Sequence, residues 1–425
     1  MIKNTYVILG YGRSGRESEK HLLSLGHNTI VYDDGQNKTP NIDWSAIVTL
    51  VQSPGIPMSH PVSEAARAAG ISICTDIDLL QKRSPNAKYI GITGTNGKST
   101  TTALIGHILK QAKLNVEVGG NIGIPALSLE DLDANGWYVL ELSSYQLELS
   151  NALHLDIAVW INLSPDHLDR HDSMENYVNA KKRIFSHAKS ACIAIDDNYS
   201  KQAYHQLHIP HTTIASEFKN CPADIWIDAS GLLHSNGALF NCNELETLKG
   251  THNWQNVALA FAATLCILNA PHKIWEYIQT FPGLAHRQQL VTKIGQVEFI
   301  NDSKATNADA CEKALKTYMD RNIFWILGGV AKTDGIDLLK PYFSYIKKAY
   351  LIGEAQDRFA DILNGSVAFE KCSSLESAIA KSSADAKFEN DAVVLLSPAC
   401  ASFDQFRDYE HRGEEFIQIV RKINS

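Results

Sequence analysis

The chain has 425 residues, 44% of them hydrophobic and 20% charged, with a formal net charge of -8. That length leaves room for two to four domains of about 150 residues each. An acidic balance disfavours nucleic acid as the main partner, eight scattered cysteines without a CxxC pair suggest no disulfide framework or zinc ribbon, and no apolar run reaches the roughly 18 residues of a membrane span.

The N-terminus enters a strand at once, Thr5–Leu9, without the apolar core of a signal peptide. Gly10-Tyr11-Gly12-Arg13-Ser14-Gly15 follows, then a helix to about Leu25 and a second strand, Thr29–Tyr32, ending at Asp33. This GxGxxG opening of a βαβ unit, with an acidic residue near the ribose position, predicts a diphosphate at a helix N-terminus. The block is short. A turn at Ser53-Pro54-Gly55-Ile56 and a strand near Ile71–Cys74 close it by about Leu80. A full dinucleotide fold needs two such halves, so a UDP-like ligand is expected ahead of NAD(P).

The second block opens on Tyr89 to Thr100, YIGITGTNGKST. It reads as a buried strand, a glycine-rich loop and a helix start, with helical patterning from Thr102 to Leu109. Such a loop lets several N–H groups face one phosphate chain, and the helix dipole adds to them. Lys98 supplies a point charge for the β- and γ-phosphates and Ser99 a hydroxyl for Mg²⁺. The general pattern wants a glycine where Ile92 stands. Strand Trp137–Leu142 carries Glu141 near its end, and strand Ile157–Asn162 runs into Asp166-His167. Ligands bind at the C-terminal ends of strands in open α/β sheets, so Glu141, Asp166 and His167 are expected to converge on phosphates held by Lys98. Ser173–Lys189 reads as an amphipathic helix bearing Lys181, Lys182 and Arg183, whose default is a solvated basic face. Gly250 to Asn256 then opens a helix rich in Ala and Leu, its amides able either to read a purine or to cap the helix.

A third block follows Gly283-Leu284-Ala285-His286-Arg287. Strands Gln296–Ile300, Asn322–Leu327 and Ala392–Leu396 each end in a loop rich in Lys, Ser, Thr or Gly. Lysines after two of the strands suit a small dianion such as a dicarboxylate.

Eight segments together resemble a known family. GITGTNGKST, VLELSSYQLE, NLSPDHLDRH, NAKKRIF, GTHNWQNVALA, GLAHR, NDSKATN and LSPACASFDQF stand in the order found in the Mur ligases of peptidoglycan synthesis. The last two resemble the members that add D-glutamate. The resemblance implies an α/β fold of three domains. These are a Rossmann-like UDP-sugar domain (1–80), a central P-loop ATPase-like domain with a mostly parallel sheet (81–282), and a C-terminal Rossmann-like amino-acid domain (283–425). It implies a cytoplasmic, monomeric enzyme acting on ATP, D-glutamate and UDP-N-acetylmuramoyl-L-alanine through an acyl phosphate, without nucleic acid or membrane insertion. Two Mg²⁺ sites are implied, with Ser99 and Glu141 at the first and His167 and a carbamylated Lys181 at the second. Thr93, Gly94, Thr95, Asn96, Gly97, Lys98 and Ser99 cradle ATP in that reading, joined by Asn256, Arg287 and Asp302. Arg13, Ser14, Asp33, Asp34 and Asn121 match UDP-sugar positions, and Lys304, Thr306, Lys332, Ser402 and Tyr409 match D-glutamate positions. Two departures stand out. Asp33-Asp34-Gly35 replaces a familiar Asp-Thr-Arg, which leaves the diphosphate to the backbone and Arg13, and Tyr409 replaces a Phe. The rival classes are an NAD(P)-dependent oxidoreductase, which leaves the P-loop unused, and a non-catalytic nucleotide-binding relative, which leaves Glu141, His167 and Lys181 unused.

Overall fold

Parallel strands dominate the computed structural model, which describes residues 3–121, 123–150, 153–216, 223–248, 250–331 and 335–423. The chain divides into two compact units, Met1–Glu246 with Asn253–Phe281 and Thr247–His252 with Pro282–Ser425.

The first unit holds two sheets. Strands β1 (Thr5–Leu9), β2 (Asn28–Tyr32), β3 (Ile47–Gln52) and β4 (Ser72–Cys74) pair in parallel in the order β2-β1-β3-β4. Nine more strands follow: β5 (Lys88–Thr93), β6 (Val116–Gly120), β7 (Trp137–Glu141), β8 (Leu155–Trp160), β9 (Ala188–Ala194), β10 (His211–Ala215), β11 (Ile225–Ile227), β12 (Leu232–Ser235) and β13 (Ala238–Asn241). They form one sheet, β13-β12-β11-β10-β9-β8-β5-β7-β6. It is parallel from β6 to β11, and an antiparallel meander through β12 and β13 ends it. Strands β5, β7 and β8 are interior strands and are apolar along most of their length, as strands covered on both faces are. One core cluster runs from Ile8, Leu22 and Val51 through Leu79, Tyr89 and Leu140 to Trp160. The small first sheet is therefore packed into the same apolar body as the large one.

The second unit carries β14 (Gln289–Ile294), β15 (Val297–Asn301), β16 (Asn322–Gly328), β17 (Ile346–Ile352), β18 (Phe369–Lys371) and β19 (Ala392–Leu396), in the order β14-β15-β19-β16-β17-β18. All pairings are parallel except β14 with β15. The two-residue period of the strand divides the central strands between two cores. Ile323, Trp325, Leu327, Val393 and Leu395 pack on one face. Phe324, Ile326, Val394 and Leu396 pack on the other.

One expected element is shorter than its pattern. The amphipathic run from Ser173 to Lys189 forms a helix only over Met174–Lys182, capped by Ser173, followed by a 3-10 turn at Arg183–Phe185. Residues from Ala188 onward pair with β8 instead, because Ala191, Cys192 and Ile193 complete the sheet core.

Candidate active site

Strand β5 hands the chain straight to the glycine-rich loop, and the helix Lys98–Gln111 begins behind it. Gly97 caps that helix at φ +84, and a Cβ there would stand 2.1 Å from Asn256 Oδ1. Only glycine meets both demands. The loop is fixed from the next strand: Thr95 N–H donates to the Asn162 carbonyl and Asn96 N–H to Asn162 Oδ1, both at 2.9 Å. Asn162 is held in turn by Gln255 at 2.7 Å, and Gln255 donates to Asp196 at 2.5 Å. Asn256 accepts from Thr101 Oγ1 at 3.2 Å. The amides of the Trp254–Asn256 segment thus brace the loop from within the first unit.

Lys98 folds back over its own loop, donating to the carbonyls of Gly94 (2.9 Å) and Thr95 (2.8 Å). Ser99 Oγ donates to Glu141 Oε2 at 2.7 Å, and Asn121 Nδ2 donates to Glu141 Oε1 at 2.9 Å. Asn121, expected at the UDP-sugar, therefore stands beside the buried Glu141. A hydroxyl and a carboxylate in contact at a P-loop are hard oxygen donors that suit Mg²⁺, which takes its remaining ligands from water and phosphate.

Lys181 is 1% exposed. Its ammonium reaches the Gly94 carbonyl at 2.8 Å and Thr93 Oγ1 at 3.3 Å and lies 5.0 Å from the centre of the Tyr177 ring. Burial, with the Lys98 charge as the second cause, holds its pKa well below the ordinary lysine value. The expected solvated basic face is thus wrong for this residue, whereas Lys182 is partly exposed and reaches Gln206. His167 sits at φ +53 at the start of a short helical turn, half exposed, 3.5 Å from Asp166. Tyr145 and Tyr177 flank it, with ring centroids at 5.2 and 6.3 Å.

At the first sheet, Asp33 is fully engaged locally. It accepts from Tyr11 N–H at 2.5 Å and from Gln36 N–H at 2.8 Å. The Asp33–Lys38 loop is closed by paired backbone bonds of 2.7 and 2.9 Å, which bring the Lys38 ammonium 4.0 Å from the Tyr11 ring. A basic group therefore stands beside the GxGxxG loop even though Gly35 supplies none. Asp34 bonds His60 at 2.8 Å. Arg13 opens the helix Arg13–Ser24 and is exposed. The Ser14 carbonyl accepts from Ser18 Oγ at 2.8 Å, and the buried Asp76 accepts from Ile77 N–H at 3.1 Å, burial pushing its pKa up to about 6.

In the second unit, three strand ends are pinned to one another. Asp302 is buried, accepting from Ser397 Oγ at 2.7 Å and Gln288 N–H at 3.1 Å, and burial pushes its pKa up to about 7. Arg412, wholly buried, donates to Ser303 Oγ (2.9 Å), the Ser303 carbonyl (2.8 Å) and the Cys400 carbonyl (3.1 Å). Lys304 Nζ lies 5.1 Å from the Tyr409 ring. Thr306 N–H turns back to the Lys304 carbonyl at 2.8 Å, and the buried Ser402 accepts from Phe406 N–H at 2.8 Å. Arg287 follows His286, which is held at φ +61. Lys332 lies outside the described residues.

Two family signatures match the sequence: the Mur ligase middle domain over residues 92–264 and the Mur ligase glutamate ligase domain over residues 286–400. The UDP-N-acetylmuramoylalanine–D-glutamate ligase of Phenylobacterium zucineum is 41% identical across 99% of this chain and 96% of its own. That of Caulobacter vibrioides is 42% identical over 99% and 96%. The chain belongs to the Mur ligase family. Solved Mur ligases share its fold at low identity. The UDP-N-acetylmuramate-alanine ligase MurC of Thermotoga maritima has TM-score 0.62 at 17% identity, covering 99% of this chain and 100% of that one. The MurF ligase of T. maritima, solved with ADP, has TM-score 0.60 at 17% identity, over 99% and 96%.

Some residues that build this Mur ligase site went unread in the sequence. Arg412 is one. Its signal is the glycine beside it inside a helical run: a Cβ on Gly413 would stand 2.1 Å from His286 Nδ1. Asp76 and Asn162 are others. Their neighbours in sequence are ordinary, and only the fold brings them to the glycine loops.

Proposed function

We propose that the chain joins D-glutamate to UDP-N-acetylmuramoyl-L-alanine with ATP, in cytoplasmic synthesis of peptidoglycan precursors, as a monomer. The observation that carries the reading is the line Asn121–Glu141–Ser99 beside two lysines that share the Gly94 carbonyl. In this proposal residues 1–80 hold the UDP-sugar through Arg13, Ser14, Asp33 and Asp34, with Asn121 from the central domain. Residues 81–282 hold ATP through Thr93 to Ser99 and Asn256. Residues 283–425 hold D-glutamate through Lys304, Thr306, Lys332, Ser402 and Tyr409 and supply Arg287 and Asp302 to the nucleotide.

The substrate carboxylate attacks the γ-phosphate, giving an acyl phosphate and ADP. The amine of D-glutamate then adds to the acyl carbon, and phosphate leaves. Little covalent chemistry falls to the protein, so positioning and charge neutralisation dominate. On binding ATP, Lys98 exchanges the Gly94 and Thr95 carbonyls for phosphate oxygens. Ser99 and Glu141 would hold one Mg²⁺, and His167 with Lys181 a second; bound there, the ions would neutralise phosphate charge. Lys181 fits that role only as an anion. Its low pKa favours the neutral amine, whose nitrogen can bond to CO₂ and lose a proton to become a carbamate. A carbamate offers the oxygen ligands Mg²⁺ prefers.

The test is phosphate release with ATP, UDP-N-acetylmuramoyl-L-alanine and D-glutamate, each omitted in turn. Release is expected only with all three, together with a product heavier by one glutamyl residue. Turnover that ignores D-glutamate, or that prefers another amino acid, would overturn the assignment.

A further inference from the structure

Arg170 takes no part in the chemistry above, yet it ties together two segments that serve one substrate. The first is the turn after β3. Ser53 N–H donates to the Leu9 carbonyl at 2.9 Å and Ser53 Oγ to the Gly10 carbonyl at 2.8 Å, so this turn stands against the GxGxxG loop. Gly10, at φ +86, packs directly on it: a Cβ there would lie 2.9 Å from Ser53 Cβ. Ile56 closes the turn with a 3.0 Å bond to the Ser53 carbonyl. The Ile56 carbonyl itself accepts from two side chains, Gln52 Nε2 and Arg170 Nη2, both at 2.9 Å.

The second segment is the helical turn Leu168–His171, which follows His167. His167 at φ +53 and Asp172 at φ +63 bracket it. Left-handed backbone is costly for such residues and persists only where the surroundings hold it. Here two side chains do so. The buried His171 is bonded to Ser144 Oγ at 2.9 Å. Arg170, only 13% exposed, lies 5.0 Å from the centre of the Tyr145 ring and 3.5 Å from Glu148 Oε2. Ser144, Tyr145 and Glu148 all belong to the helix Ser144–Leu149. Ile56 is therefore the one partner among these that belongs to the first sheet. We propose that Arg170 is a positioning residue: it fixes the span between the diphosphate loop and the His167 turn, and so places the reacting carboxylate of a UDP-sugar anchored at its other end. This role rests on the proposed function, which puts the diphosphate at the GxGxxG loop and His167 beside the acyl phosphate. A guanidinium suits the task because its planar fork makes several contacts in one fixed geometry.

The experiment uses the full chain and reads UDP binding apart from turnover. A reacting group misplaced by about 1 Å costs about 10²-fold, so Arg170→Ala should lower kcat by about 10–100-fold. The Kd for UDP, by isothermal titration, and KM for ATP should stay within about two-fold, because each end of the site is intact. Arg170→Lys can still reach the Ile56 carbonyl and should recover part of the rate. Arg170→Met keeps the stem over Tyr145 without the bond and should not. If Arg170→Ala fails to fold, the lysine and methionine variants decide. Glu148→Gln should stay within about three-fold of wild type, since a partly exposed ion pair contributes little. Unchanged kcat in Arg170→Ala, UDP binding lost in step with turnover, methionine as good as lysine, or an equal loss in Glu148→Gln would overturn the role. Phosphate release by the wild type without the UDP-sugar would instead overturn the proposed function.

Discussion

The glycine-rich loop of the first unit and the strand ends of the second unit use basic side chains in opposite ways. At the loop, Lys98 and Lys181 both press on the Gly94 carbonyl with flexible stems. Each nitrogen is held only by neutral dipoles, so Lys98 can exchange them for phosphate oxygens and Lys181, its pKa held low by burial, can change chemical form. In the second unit the buried cation is Arg412, whose planar fork meets Ser303 and Cys400 at once. The guanidinium is a rigid planar fork that does not lose its charge in a protein, although burial brings its pKa down to about 10. The difference separates two tasks: lysines stand where charge must move during a reaction, and arginine stands where loops must not move at all.

The strongest way to break that contrast is at the lysines. Lys98→Ala should lower kcat by about 10²–10³ in a coupled ADP assay, in the range of losing one charge-stabilising donor. Near-normal turnover would remove the loop from the chemistry. Lys181→Ala should be similarly impaired, and acetate should partly restore its rate by filling the vacated anionic position. Lys182→Ala should stay near wild type. Equal losses at 181 and 182, or no response to any carboxylate, would argue for an ordinary structural lysine.

The Lys181 result also shows what was legible in the sequence. Tyr177, Ala180, Lys181 and Ile184 stand at helical spacing and are all buried, a periodicity that puts them on one face and that the expectation of a solvated face passed over. Composition pulled the other way, since three consecutive basic residues read as a solvated surface. The buried parallel strands β5, β7, β16 and β19 were legible because an apolar run bounded by polar loops has few other readings. Strands β3, β6, β9 to β14, β17 and β18 were not. Several are short edge strands, and β17 opens Ile-Lys-Lys, where the lysine at 348 serves Glu370 and Asp385. The proposed site residues are those that short motifs carry. Residues that act by reaching across the fold are harder to read: Asp76 leaves no local pattern, and Arg412 leaves only the glycine beside it.

Arg412 offers the next test. Arg412→Ala would strand carbonyls of Ser303 and Cys400, and each buried unsatisfied group costs roughly 1–3 kcal/mol. A loss of about 3 kcal/mol in urea unfolding is expected. Arg412→Lys should recover only part of it, because one ammonium cannot reproduce the fork. Full rescue by lysine would show that charge alone matters there and erase the contrast with the loop.

Asp302 gives a smaller, pH-dependent effect. Its folded pKa near 7 exceeds an unfolded value of about 3.9. The native state therefore binds more protons between those values. The stability tied to this group is present below about pH 4 and is lost as pH rises through about 7. Asp302→Asn should flatten that decline in unfolding curves taken from pH 4 to 8. An unchanged slope would place the carboxylate in contact with water in the native state.

The smallest expected effect belongs to Lys38. Its ammonium lies 4.0 Å from the Tyr11 ring beside the GxGxxG loop, exposed and on a closed loop of its own. An exposed cation–π contact is worth about 0.5–1 kcal/mol, so fold stability should barely change in Lys38→Ala. A diphosphate at that loop would draw the ammonium off the ring. The substitution should then raise KM for the UDP-sugar several-fold, about 1 kcal/mol, while leaving KM for ATP and D-glutamate unchanged. The salt dependence of the UDP-sugar KM should weaken in the variant, because a screened surface charge has gone. A KM that does not move would mean that Arg13 and backbone N–H groups neutralise the diphosphate without Lys38. An increase in all three KM values would mean instead that the Asp33–Lys38 loop supports the fold of the first sheet rather than its ligand.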